Sequence, residues 1–170
     1  MLSRRRGIAA LSLIWLSSAT AIGADAVTRV DTYGDWSLLT DTNAPHLFCF
    51  VTSEPKASEP HDVTRDAPRA YISAWPKDGI RGEISFRIGS PIKKNADGTA
   101  TVNRNKYNLF AAKGRVFVKD PTQELKLLDA MRKGNSLTVV IVSDSGTTIT
   151  DTYSLSGVGL ALQKLQETCF

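Results

Sequence analysis

Residues 150–170 read TDTYSLSGVGLALQKLQETCF, and the period of the apolar residues changes inside that stretch. Up to Ser154 the pattern is that of a strand. From Gly157 onward, Val158, Ala161, Leu162 and Leu165 fall on one stripe of a helix that runs to about Gln166, with Ser156 as its expected cap. Cys169 lies four residues past Leu165 and so continues the buried stripe. The chain has one other cysteine, Cys49, inside the apolar run HLFCFV at 46–51. Two cysteines and no others in an exported chain most simply form one disulfide. It closes a loop of about 120 residues and fastens a terminal helix to a core strand. A redox pair or metal ligands are the alternatives, but there is no CxxC and no histidine pair suited to zinc.

Export is read from the other end. The first 26 residues, MLSRRRGIAALSLIWLSSATAIGADA, carry Arg4, Arg5 and Arg6, then an apolar run from Ile8 to Leu16, then small residues. That order is a secretory signal peptide, with cleavage expected after Gly23 or Ala26 and a single domain at 24–170. The apolar run is shorter than the ~20 residues a spanning helix needs. No cysteine lies near the cleavage region to take a lipid, and no later segment could cross a membrane as a helix. Taking three arginines from 21 basic residues leaves 18 against 17 acidic, a net charge of +1. The basic pI therefore belongs largely to the leader, which argues against nucleic acid as a partner.

Short segments rich in Val, Ile, Thr, Phe and Tyr predict strands at 28–33, 36–39, 47–52, 70–75, 82–88, 99–102, 107–111, 115–118, 137–143 and 147–154. Hairpins are expected around Lys113-Gly114 and around Asp144-Ser145-Gly146. A helix is expected after Asp120 as N-cap, with Pro121 in its first turn, Gly134 as its stop, and Leu125, Leu128 and Met131 as the apolar face beside Leu127. Residues 53–69 hold three prolines and no apolar run and read as a polar surface loop. The sum is a mainly β fold: an antiparallel β-sandwich or partly closed barrel with two short helices, one C-terminal and disulfide-tethered.

Several features of this pattern resemble one known family. They are YGDW at 33–36, a cysteine in an apolar strand, DAMRKGNSLTV at 129–139 and TDTYSLSGVGLALQKLQETC at 150–169. Together they resemble the invasion-associated locus B family of exported bacterial proteins. The resemblance spans nearly the whole mature chain and is weakest over 53–106. It implies a small, mainly β, non-catalytic protein of the periplasm of a Gram-negative bacterium, or one that is outer-membrane-associated or secreted. Some members are linked to entry into host cells, so a surface-exposed factor contacting host cells is the second reading. The family has no established catalytic residues to carry over. Gly34, Asp35 and Trp36, with Tyr153, Ser154 and Leu155, are motif residues with structural readings: a turn, a core indole with a backbone partner, and a packed tyrosine.

Chemistry has few candidates. His46 precedes an apolar run and His61 lies beside Asp62, but there is no G-x-S-x-G, phosphate-binding glycine loop, H-E-x-x-H or EF-hand loop. A hydrolase is the third reading; no catalytic residue, metal or cofactor is expected. Over 93–119, however, Lys93, Lys94, Arg104, Lys106, Lys113, Arg115 and Lys119 face only Asp97. Brought together they form an anion-binding patch for lipopolysaccharide, acidic lipid or acidic polysaccharide, or for an envelope protein; otherwise strand alternation scatters them. Phe170 suggests the aromatic end of a membrane barrel, but a helical last segment excludes that.

Overall fold

The computed structural model describes residues 27–41 and 47–170. The leader, both cleavage positions and His46 lie outside the described residues.

The strands are β1 (Val27–Tyr33), β2 (Trp36–Asp41), β3 (Phe48–Ser53), β4 (Ala57–Glu59), β5 (Arg69–Trp75), β6 (Ile80–Arg87), β7 (Asp97–Val102), β8 (Asn105–Ala112), β9 (Arg115–Val118), β10 (Ser136–Val142) and β11 (Thr148–Ser154). The helices are α1 (Pro121–Lys133) and α2 (Val158–Cys169). All pairings are antiparallel and join one continuous sheet in the order β1-β2-β3-β5-β6-β9-β8-β7-β10-β11-β4. The sheet is not closed: β1 and β4 are its edges. Period-2 alternation gives it an inner apolar face, with Leu38, Val51, Ile72, Ile84, Phe86, Leu109, Val116, Val139 and Ile149 buried there. Both helices pack on the sheet and on each other.

The two ends of the sheet meet at one junction. The Trp36 indole N–H donates to the Ser154 carbonyl at 3.0 Å, and the Asp35 N–H donates to the Ser156 carbonyl at 3.0 Å. Gly34 (φ +57) and Gly157 (φ +86) let the backbones touch: a Cβ on Gly34 would lie 2.5 Å from the Ser156 oxygen, and one on Gly157 2.1 Å from the Tyr33 oxygen. The expected cap is corrected here. Gly157, not Ser156, is the N-cap of α2, and no side chain caps it. Ser156 is instead held at the junction by its carbonyl. The Lys56 ammonium, 2.5 Å from Asp35, and the Ser154 hydroxyl hold the Asp35 carboxyl below the ordinary carboxylate range.

The α1 face also differs from expectation. Asp120 caps it as predicted, accepting the Gln123 N–H at 3.0 Å. Its inner stripe, however, is 124, 127, 128 and 131: Leu127 and Met131 are fully buried, whereas Leu125 is 69% exposed. The stripe begins on a carboxylate because β9 stops at Val118 and leaves its neighbours β6 and β8 short of partners. Glu124 accepts the Ile84 N–H at 2.8 Å and Gln123 the Asn108 N–H at 3.1 Å, so the first turn of α1 stands in for the missing strand.

Within the predicted polar loop, β4 pairs with β11, and the loop contributes a buried ion pair. Arg65 reaches Asp151 through two bonds, 2.6 and 3.0 Å, and donates to the Ile88 carbonyl at 2.7 Å. The Ser58 hydroxyl donates to Asp151 at 2.7 Å, and both charged side chains are buried. A three-residue strand between a lysine and a cis proline carries too little pattern to be read from sequence.

Cys49 and Cys169 form the expected disulfide, with Cα atoms 6.3 Å apart at a sequence separation of 120. α2 runs on to Cys169 rather than stopping near Gln166, so the bond joins the helix end to β3.

Three outcomes follow from this framework. Replacing both cysteines by alanine lowers stability by up to about 5 kcal/mol, read as a shift in the urea midpoint; an unchanged midpoint contradicts the tether. Asp151→Asn costs about 3–5 kcal/mol, while the double change Arg65→Met with Asp151→Leu recovers most of it, because a buried charge without its partner is the costly state. The third concerns pH. Burial pushes the Glu124 carboxyl above its usual 4.5 against the pull of the Ile84 N–H. Between 4.5 and that raised value the folded state holds more protons than the unfolded one, so this group's contribution makes stability fall as pH rises through the window. Glu124→Gln keeps the acceptor and flattens that part of the profile; an unaltered slope in urea midpoints measured across it would show that Glu124 is not its source.

Candidate functional site

The outer face of the sheet carries a groove that the alternation predicts only if both faces of β3 and β5 are inspected. In β3, Cys49 and Val51 point inward, so Phe48 and Phe50 point outward. In β5, Ala70, Ile72 and Ala74 are buried, which puts Tyr71, Ser73 and Trp75 outside. Register then sets the layout. Phe50 pairs with Ser73 and Ser73 with Glu83; Tyr71 pairs with Ser85, Ser85 with Phe117, and Phe117 with Phe110. Aromatic walls thus flank a floor of Ser73 and Ser85, and Glu83 stands beside it, in a groove of about 390 Å³.

The rings are organised. Phe48 stacks on Trp75 with centroids 4.0 Å apart and lies 5.2 Å from Phe50; Phe50 and Tyr71 are 5.9 Å apart. At the other side the Arg115 guanidinium lies over the Tyr71 ring, 4.4 Å from its centroid, with Nη1 3.4 Å from the Ser85 hydroxyl. Stacking of this kind fixes a guanidinium while leaving its rim available for hydrogen bonds. Neither Arg115 nor Glu83 has an ion-pair partner among the described residues.

The seven basic residues singled out in the sequence are divided. Lys93 and Lys94 are exposed in the loop before β7, which is tied to the end of β8 by the Asn95 N–H to the Ala111 carbonyl at 2.8 Å. Lys113 and Arg115 stand at that same end, in and just after the β8–β9 turn. Arg104 and Lys106 lie at the opposite end of β8; a step of seven positions along extended chain separates Lys106 from Lys113, roughly 24 Å. Lys119 is paired with Asp97 at 3.3 Å. Lys93, Lys94, Lys113 and Arg115 therefore share one end of the sheet, where Lys113 and Arg115 line the groove, and Arg104 and Lys106 do not.

The motif residues Gly34, Asp35 and Trp36, with Ser154, are the junction described above, and Leu155 is buried beside it. Tyr153 is fully buried, 6.2 Å from the Phe86 ring; its hydroxyl has no hydrogen-bond partner among the described residues, and burial holds it well above the ordinary phenol range. His61 is exposed. The 143–147 turn is a local network in which Ser143 and Ser145 hydroxyls lie 2.9 Å apart and the Thr147 N–H donates to Ser143. That network accounts for the serines as turn residues. Among the described residues no group of three or more His, Cys, Asp or Glu side chains could hold a metal, and no helix is long and apolar enough to cross a membrane.

No family model matches the chain, and a search of curated proteins finds no match either. Among solved structures, its fold is similar to that of invasion associated protein B from Bartonella henselae, with a TM-score of 0.57 and 18% identity over 81% of this chain and 96% of that one. At this identity the likeness is one of fold. It is the fold that the paired motifs, YGDW and the C-terminal run ending in Cys169, imply.

Proposed function

We propose that the protein is an exported, non-catalytic β-domain that acts by binding anionic components at the bacterial cell envelope. The observation that carries this reading is the group of cations at one end of the sheet: Lys93, Lys94, Lys113 and Arg115, none with a carboxylate partner among the described residues. Convergent cations without counter-charges attract phosphate or carboxylate groups. The disulfide supports an oxidising compartment, and the likeness in fold to invasion associated protein B supports an exported protein of that type. The leader-like first 26 residues agree with it. The periplasm is the compartment that fits; contact with host cells would require exposure at the surface.

The division of the basic residues supplies the test. In flotation with vesicles containing lipopolysaccharide or acidic phospholipid, Lys93→Ala with Lys94→Ala weakens binding by about thirtyfold, at about 1 kcal/mol per basic residue near an anionic surface. Arg104→Ala with Lys106→Ala leaves it within about twofold, since that pair lies away from the bound end. Equal losses for the two pairs, or no loss for the first, would remove the reading. Protease treatment of intact cells decides location: protection until the outer membrane is permeabilised supports the periplasm, and digestion without it moves the protein to the surface.

A further inference from the structure

The aromatic groove has no role in the framework of the fold. Its rings lie on the water side, and the inner face is packed without them. Apolar side chains on both faces of a strand normally mean cover on both sides. Here Phe48, Phe50, Tyr71, Trp75 and Phe117 instead face an open groove of about 390 Å³, the size range of small-ligand sites, which begins at about 300 Å³.

The lining decides what kind of occupant fits. An acyl chain would cover the Glu83 carboxylate beside the serine floor and leave it without a partner, and burying an unpaired charged group is costly. A flat, wholly polar ligand would leave the rings unused. A ligand with an apolar face and a hydroxyl-bearing edge satisfies both sets of groups, and a hexose ring has that form: C–H bonds on its faces, hydroxyls on its rim. Its faces meet the Phe48–Trp75 wall and Phe50, while its hydroxyls meet Glu83 and the two serines. At the opposite side Arg115, held over Tyr71, and Lys113, on the groove lining, present two cations to an acid group.

We propose that this groove binds a hexose carrying one acid group, either a hexuronate or a phosphorylated amino sugar. Trp75 and the phenylalanines hold the ring, Glu83 accepts from its hydroxyls, and Arg115 with Lys113 holds the carboxylate or phosphate. This rests on the envelope-binding reading above and names the ligand chemistry for it.

The experiment is titration of the purified, oxidised protein with tetragalacturonate, glucosamine 1-phosphate and neutral maltotetraose, read by ¹⁵N chemical shifts and tryptophan fluorescence. In protein purified without the leader and its Trp15, Trp36 is fully buried while Trp75 lines the groove, so a fluorescence change reports on Trp75. At least one acidic sugar is expected to shift amides at 48–50, 71–75, 83–85 and 113–117, and to bind about tenfold more tightly than maltotetraose. Which one binds tells an acidic polysaccharide from a phosphorylated headgroup. Trp75→Ala weakens it about tenfold, the scale of losing one aromatic anchor. Arg115→Gln, at the rim and spared any cavity, removes the preference for the acidic sugar. Shifts confined to other residues, no binding of either acidic sugar, or full affinity in Arg115→Gln would overturn the proposal. Vesicle binding that persists without sugar binding would sink this inference alone; loss of both in the wild-type protein would sink the envelope reading too.

Discussion

Backbone contact between two glycines underlies the shape of this molecule. Gly34, in the turn between β1 and β2, rests on the Ser156 carbonyl, and Gly157, at the start of α2, rests on the Tyr33 carbonyl. Neither position has room for a methyl group, and both backbones take a positive φ. An antiparallel sheet with two open edges has no hydrogen-bonded reason to bring its ends together. This junction supplies one, and the Trp36 indole bonded to Ser154 fills the space behind it. Because α2 leaves the junction from Gly157, its direction is set there. Leu162 and Leu165 then pack inside, and Cys169 arrives at Cys49. The two motifs that suggested a family are thus two halves of one contact, with Trp36 and Ser154 118 positions apart in sequence.

The interior is consolidated by several independent devices, and the outer face by fewer. The disulfide, the junction, the first turn of α1 and the Arg65–Asp151 pair each secure a different part of the inner layer. The Arg65–Asp151 pair has the form of a specificity device more than a source of stability, since an apolar replacement of both partners would cost little. It sets where the 54–68 segment lies on the open end of the sheet. With the inside settled in this way, the rings on the outside are released from any part in holding the fold, and their exposure has to be explained by something else.

Much of this was legible. Short runs rich in Val, Ile, Thr, Phe and Tyr located all but one strand, the Asp120–Pro121 start located α1, and the cysteine count located the bridge. The misreadings share a cause. The apolar pattern points to Leu125 because a half-buried carboxylate, Glu124, opens the true stripe, and only the early end of β9 explains why a carboxylate is wanted there. Ser156 has the right chemistry for a cap, but its carbonyl is taken by a partner far away in sequence. Charge counted along 93–119 could not say which end of a hairpin each cation occupies. The groove had a visible signal in FCFV and YISAW, where both parities are apolar, yet that pattern also describes a strand covered on both sides.

The β8–β9 turn gives a separate reason to treat the groove and its basic rim as one surface. Lys113 holds φ +50 and Gly114 φ +73, a left-handed pair that matches the twist of a two-residue hairpin. Asparagine or glycine is the usual first residue of such a turn, and a lysine there accepts roughly 1–2 kcal/mol of backbone strain. Nothing in the inner packing recovers that energy, for Lys113 is exposed and has no ion pair among the described residues. Its side chain lines the groove beside Arg115, whose own position is set by Tyr71 and Ser85. A cation placed at a strained turn and a cation fixed by stacking, both beside a wall of rings, make sense together when an anion attached to a ring-shaped ligand is what they meet.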